Sequence, residues 1–195
     1  MEYRADDAKP RFTYGDYVQW DDDERWELID GRPHAMAAPT IPHQRLVMGL
    51  GAQLHLQLQG ARCEALMSPV DVRLPRTNEP DDAIVDVVQP DVIVVCDPAK
   101  LDDRGCRGAP DFVVEVLSPS TAEHDRVTKL ALYERHGVRE YWLIQPVERL
   151  VTTHLLEHGQ FATVITRRAN GQLRVTALPG VEIDWDLAFS RFASR

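Results

Sequence analysis

Phe112-Val113-Val114-Glu115-Val116-Leu117 is an almost wholly apolar run with one acid inside it, and Asp91-Val92-Ile93-Val94-Val95-Cys96 is a second such run that begins on an acid. Neither alternates between apolar and polar residues. Both therefore read as strands covered on two faces, at the centre of a sheet flanked by helices. Burying an unpaired carboxylate costs several kcal/mol or forces it to protonate, so Glu115 needs a partner or a cation. If the two strands are neighbours, Asp91 and Glu115 point into one space at the open edge of the sheet. The plainer reading, in which Glu115 pairs with a buried arginine or caps an amide, stays open at this point.

Outward from these strands the pattern is that of an α/β chain. Ser120-Thr121-Ala122-Glu123 spells a capping box, which predicts a helix from Ser120 to His136 stopped by Gly137. Asp125, Lys129 and Tyr133 are spaced i, i+4, i+8 along one face of it, while Val127, Leu130 and Ala131 are predicted to face the sheet. Glu140 to Pro146 reads as a third buried strand, and the strand–helix–strand order implies a right-handed parallel crossover.

Towards the N-terminus, Trp26 to Arg32 holds the dipeptide Asp30-Gly31 of a tight hairpin, just after the acidic run Asp21 to Glu24, read as a solvated turn. Leu46, Val47, Leu50, Leu54 and Leu58 recur at helical spacing between Pro42 and Gln59, and Val70 to Leu74 alternates like a half-buried strand. At the other end, 150–157, 160–167 and 172–177 are predicted to be an antiparallel edge meander. The expected fold class is thus a mixed sheet flanked by helices, with an N-terminal hairpin and C-terminal antiparallel edge strands.

A chain of 195 residues is large enough to bury a core as one domain, taken as 1–195 with its core at about 12–190. Its formal charge of −9 excludes a broad basic surface, so any nucleic acid must be held locally, by a strip such as Arg104, Arg107, Arg126, Arg135 and Arg139. No apolar run approaches a membrane span and no leader pattern opens the chain, from which a cytoplasmic protein with no membrane partner is expected. Cys63, Cys96 and Cys106 show neither a disulfide framework nor zinc-ligand spacing, so free thiols are expected.

Two hard oxygen ligands with room for water suit Mg²⁺ or Mn²⁺, which take one or two protein carboxylates together with phosphate oxygens. Phosphodiester hydrolysis is the natural reaction for such a pair. Glu27-Leu28-Ile29-Asp30-Gly31, His43-Gln44, Gln89-Pro90-Asp91, Pro110 to Thr121, Asp125, Lys129, Tyr133 and Gly137 to Trp142 together resemble one family. It is the Uma-two family, formerly a domain of unknown function, in the PD-(D/E)XK restriction-endonuclease-like superfamily. The resemblance runs from about Phe12 to the C-terminus.

It implies the superfamily's α/β core, with Asp91 and Glu115 as Mg²⁺ ligands and DNA as substrate of an endonuclease working as a homodimer. One departure matters: the superfamily's lysine falls two residues after the second acid, where this chain has Leu117, and Lys129 looks like its replacement from the following helix. Its implied role is to orient the attacking water and offset phosphate charge. Glu27, His43, Asp125 and Tyr133 are possible supporting residues, each with an equally ordinary structural reading. Gln145, where the family commonly has Asp, lies beyond these ligands. The remaining histidines, His34, His55, His124, His136, His154 and His158, have no ligand spacing. Two alternatives stand beside the DNA endonuclease: an inactive interaction module that keeps the fold, and a nuclease acting on RNA or structured nucleic acid.

Overall fold

The computed structural model of the chain describes residues 11–21, 24–118 and 124–192. A short helix α1 (Tyr14–Tyr17), capped by Thr13, leads to the hairpin of β1 (Trp26–Ile29) and β2 (Arg32–Ala35). Asp30 and Gly31 both hold positive φ, 53° and 72°, the conformation that a type I′ turn requires and that Asp and Gly tolerate. Helix α2 (Ile41–Leu58) starts at Thr40, whose side chain accepts from the His43 amide, with Pro42 in the first turn where no donor is needed. Then come β3 (Glu64–Met67), β4 (Val72–Arg73), β5 (Val87–Val88), β6 (Val92–Val95), β7 (Leu101–Asp102), β8 (Gly105–Arg107) and β9 (Phe112–Val116). A π-helical turn, His124–Lys129, runs into α3 (Leu130–His136), and Gly137 caps it at φ 83°. The chain continues through β10 (Glu140–Gln145), β11 (Leu150–Glu157), β12 (Gln160–Arg168), β13 (Gln172–Arg174), β14 (Glu182–Asp184) and α4 (Trp185–Ala188).

The strands form a six-stranded sheet in the order β12-β11-β10-β9-β6-β3, a second of β2-β1-β5-β4-β8-β7, and the pair β13-β14. In the first sheet β9 and β10 run parallel, joined through α3, while β6 and β9 run antiparallel. Both strands that carry the decisive sequence are buried along their whole length. Even-numbered side chains, Val92, Val94, Phe112, Val114, Trp142 and Ile144, pack under α2 against Leu46, Val47, Leu50 and Leu54. Odd-numbered ones, Ile93, Val95, Val113, Tyr141 and Leu143, pack against Leu132, Tyr133 and Val138 from the α3 side. Burying a Leu or Val fully contributes about 1.5–3 kcal/mol each, so these two layers supply most of the driving force.

Several expectations change. The segment 172–177 does not extend the edge meander: β13 pairs with β14 in its own ribbon, because Glu182 to Asp184 offers it a partner and β12 ends at Arg168. The strand expected over Val70 to Leu74 shrinks to Val72–Arg73. The face of α3 also shifts. Val127 is 64% exposed and Ala131 exposed, while Leu132 and Tyr133 are buried. A π turn takes more residues than an α turn, which rotates the helix face by about one position relative to the 3.6-residue reading. The predicted capping box at Ser120 to Glu123 lies outside the described residues, as do Asp22, Asp23 and the side chains of His124 and Asp125.

The cysteines are a further correction. Cys63 and Cys96 form a disulfide. Antiparallel pairing sets Glu64 against Val95, so the next residues outward, 63 and 96, meet across β3 and β6. Only Cys106 is free; it is buried, and desolvation pushes its thiol up to about 11. Among the described residues no helix is long and apolar enough to cross a membrane.

Candidate functional site

The ladder between β6 and β9 pairs Val92 with Val114 and Val94 with Phe112. Carried one residue further, that register sets Asp91 opposite Glu115, both on the α3 face of the sheet. Like charges directly across a sheet repel. The chain answers with Lys129, whose Nζ lies 2.8 Å from Glu115 Oε1 and 2.9 Å from Glu27 Oε1. Lys129 is only 3% exposed, so the π turn that ends on it delivers a cation into the protein interior.

Each acid is held by groups from another element. Asp91 Oδ2 accepts from the Val116 amide at 2.7 Å and lies 3.1 Å from His43 Nε2 at the start of α2. Asp91 remains 17% exposed at its side chain, and its Oδ1 accepts nothing from the described residues. Glu115 Oε1 also accepts from the Tyr133 hydroxyl at 2.9 Å. Complete burial, with Glu115 beside it, raises the Tyr133 phenol well above its usual range, so it stays a hydrogen-bond donor. Glu27 Oε1 accepts from the Gln89 amide at 2.8 Å, which ties β1 to the strand end that carries Asp91.

Of these side chains, Glu27, His43, Asp91, Glu115 and Lys129 line a cavity of about 650 Å³. The segment from His34 to Thr40 and Gln44 border the same cavity. The structure thus brings together Asp91, Glu115, Lys129, Glu27, His43 and Tyr133. The side chain of Asp125 is outside the described residues. Two carboxylates lining one cavity fit a small, hard divalent cation, which needs no more than one or two protein ligands. Among the described residues no group of three or more His, Cys, Asp or Glu is arranged to hold a metal.

Four of the five arginines in the basic strip expected from the sequence are engaged by other side chains, Arg104 being the fifth. Arg107 pairs with Asp81, Arg135 with Asp86 and Asp30, and Arg139 with Asp111, while Arg126 donates to the Gln145 side chain. Instead the cavity holds Arg25, together with Ser68, which motif reading passed over. No spacing signal marks Arg25, because its neighbours in space come from chain segments 43 and 64 residues away. His34 also lines the cavity, and His136 reaches Asp86 at 3.4 Å.

Comparison with known proteins identifies the family and the fold. Residues 14–188 match the Uma2 family, described as "Putative restriction endonuclease". The chain is 30% identical over 137 residues to the uncharacterized protein slr1290 of Synechocystis, covering 69% of this chain and 68% of that one. A second Synechocystis protein, the uncharacterized sll1609, is 26% identical over 137 residues, 68% and 73% of the two chains. A crystal structure of a "putative nuclease belonging to DUF820" from Anabaena variabilis superposes with a TM-score of 0.72 over 92% of this chain and 98% of that one, at 16% identity, and so shares the fold. With the family match spanning nearly all of the described residues, the chain belongs to the Uma2 family and has a restriction-endonuclease-like fold.

Proposed function

We propose that this protein is a Mg²⁺- or Mn²⁺-dependent endonuclease that hydrolyses DNA phosphodiester bonds in the cavity between β6, β9 and α2. The observation that carries the reading is that Asp91, at the start of β6, and Glu115, in the adjacent buried strand β9, line one cavity beside a buried lysine. Asp91 and Glu115 would hold the ion. When bound, it would polarise the phosphodiester and lower the pKa of water beside it.

The chain's own residues do the rest. The Val116 amide and His43 fix the Asp91 carboxylate, so its orientation is set before substrate arrives. Tyr133 and Lys129 do the same for Glu115. With three donors, Lys129 Nζ can keep Glu115 and turn one N–H towards an attacking water or a phosphate oxygen. Fixed donors of this kind, preorganised by burial as Lys129 and Tyr133 are, stabilise developing negative charge far better than mobile water does. A pair of chains would supply one such site for each strand of a duplex.

The test is cleavage of supercoiled plasmid with Mg²⁺ or Mn²⁺, comparing the wild type with Asp91→Asn and Glu115→Gln. Metal-dependent nicking is expected, lost with EDTA and reduced by on the order of 100-fold or more in each variant. Nicking that persists unchanged in both would refute the assignment. No nicking by folded wild type would point to a binding module that retains the fold.

A further inference from the structure

The cavity contains a second charged feature that the proposed chemistry does not use. Arg25 lies just before β1 and lines the same space as Asp91 and Glu115. Its Nε and Nη2 donate to Gln89 Oε1 at 3.0 and 2.5 Å, and Nη2 donates to Ser68 Oγ at 2.6 Å. Among the described residues, Arg25 therefore touches only uncharged acceptors. Arg73, Arg76, Arg107, Arg135, Arg139 and Arg174 each contact a carboxylate. In a chain of formal charge −9, a half-buried guanidinium without a carboxylate partner is the exception.

Its position is built. The Gln89 side-chain amide donates to Asp71 Oδ1 at 2.9 Å and to the Tyr17 hydroxyl at 3.1 Å. Both donors are spoken for, so the amide oxygen is left to face Arg25. Ser68 is anchored by its backbone, whose N–H donates to the Asp91 carbonyl at 3.1 Å, and the Gln89 N–H donates to Glu27. Arg25 is thus fixed to the same strand end that carries Asp91. Neutral acceptors on one edge of a guanidinium orient it without cancelling its charge, and the remaining N–H groups match phosphate oxygens. The first turn of α2, at Thr40, His43 and Gln44, also borders the cavity, where the positive end of an 18-residue helix favours an anion.

We infer that Arg25, held by Gln89 and Ser68, is a phosphate subsite that binds a non-reacting phosphate of the nucleic-acid strand beside the one attacked at Asp91 and Glu115. The inference rests on the nuclease reading and deepens it: substrate is gripped by a local charge inside the cavity rather than by a basic outer surface. A contact to a phosphate that does not change in the reaction contributes equally to ground and transition states. It therefore sets KM rather than kcat.

The experiment is the steady-state cleavage of a labelled oligonucleotide with Mg²⁺, across a potassium chloride series, for wild type, Arg25→Gln and Arg25→Lys. Arg25→Gln is expected to raise KM about 10-fold at low salt with kcat nearly unchanged, and to make log KM less steep in log salt by about 1. Arg25→Lys keeps the charge and restores the wild-type slope, with a smaller rise in KM. If Arg25 only braces the fold, kcat falls in both variants and the slope stays put; that result overturns the subsite and leaves the nuclease standing. A wild type that cuts no oligonucleotide removes the nuclease reading, and this inference with it.

Discussion

Asp86 and Glu115 are both buried carboxylates, and the chain treats them in opposite ways. Asp86 is fully buried, between the loop after β4 and the end of α3. It accepts from Arg76 Nε at 2.8 Å, Arg135 Nη2 at 3.1 Å and the Asp30 amide at 2.7 Å, with His136 Nε2 at 3.4 Å. It borders neither large cavity. Glu115 and its neighbour Asp91 line open space, with Lys129 set between Glu115 and Glu27. Buried charge alone therefore does not mark a site. What distinguishes Glu115 is access to a cavity and a second carboxylate across the ladder.

Asp86 should show the larger effect on stability. Removing one partner of a buried ion-paired cluster costs about 3–5 kcal/mol, so Asp86→Ala is expected to lower the denaturation midpoint sharply, because Arg76, Arg135 and His136 lose their shared acceptor. Burial alone would raise the Asp86 pKa, but hydrogen bonds from His136 and Arg76 hold it well below the ordinary carboxylate range. The folded pKa is depressed, so the stability it contributes is complete above the unfolded value of about 4 and is lost as pH falls through the folded one. Denaturation followed between neutral pH and acid should show that loss in the wild type and a flatter profile in Asp86→Asn. An unchanged profile would mean the cluster is not a lock.

The disulfide belongs to the same structural class as Asp86. Cys63→Ser opens a link closing 33 residues of sequence and should cost about 3 kcal/mol under oxidising conditions, with no change in cleavage rate at temperatures where the variant is folded. Glu115→Gln should do the converse: a rate loss of on the order of 100-fold, about 2.7 kcal/mol of transition-state stabilisation, with a much smaller change in midpoint. If Glu115→Gln unfolds the protein as Asp86→Ala does, the contrast between an open and a closed acid fails.

The smallest expected effect is at His154. Its ring is buried against Tyr141 and Phe161 with neither nitrogen hydrogen-bonded, and desolvation lowers its pKa. The folded protein prefers the neutral ring, so stability is full above the unfolded value of about 6.5 and declines as pH falls below it. His154→Phe should remove that decline, raising Tm by about 1–2 °C at mildly acid pH and leaving it unchanged at pH 8.

The sequence made the core legible because the strands around Asp91 and Glu115 are apolar on both faces, a pattern that only a central, helix-covered sheet produces. Lys129 could be singled out because the family's usual lysine position holds Leu117, yet helical spacing misplaced Val127 and Ala131. A π turn leaves no trace in 3.6-residue periodicity. Arg25 and the Cys63–Cys96 bond were illegible for another reason. Both depend on which strand lies beside which, and a register that pairs residues 33 or 64 apart is a tertiary property with no local signature.

The measurement that tests the central claim most directly is Mn²⁺ binding followed by electron paramagnetic resonance, on wild type and on Asp91→Asn. Asp91 has an oxygen open to the cavity and lies opposite Glu115, so the wild type should take up Mn²⁺ and the variant, still folded, should not. Equal uptake by both proteins, or none by either, would contradict the account.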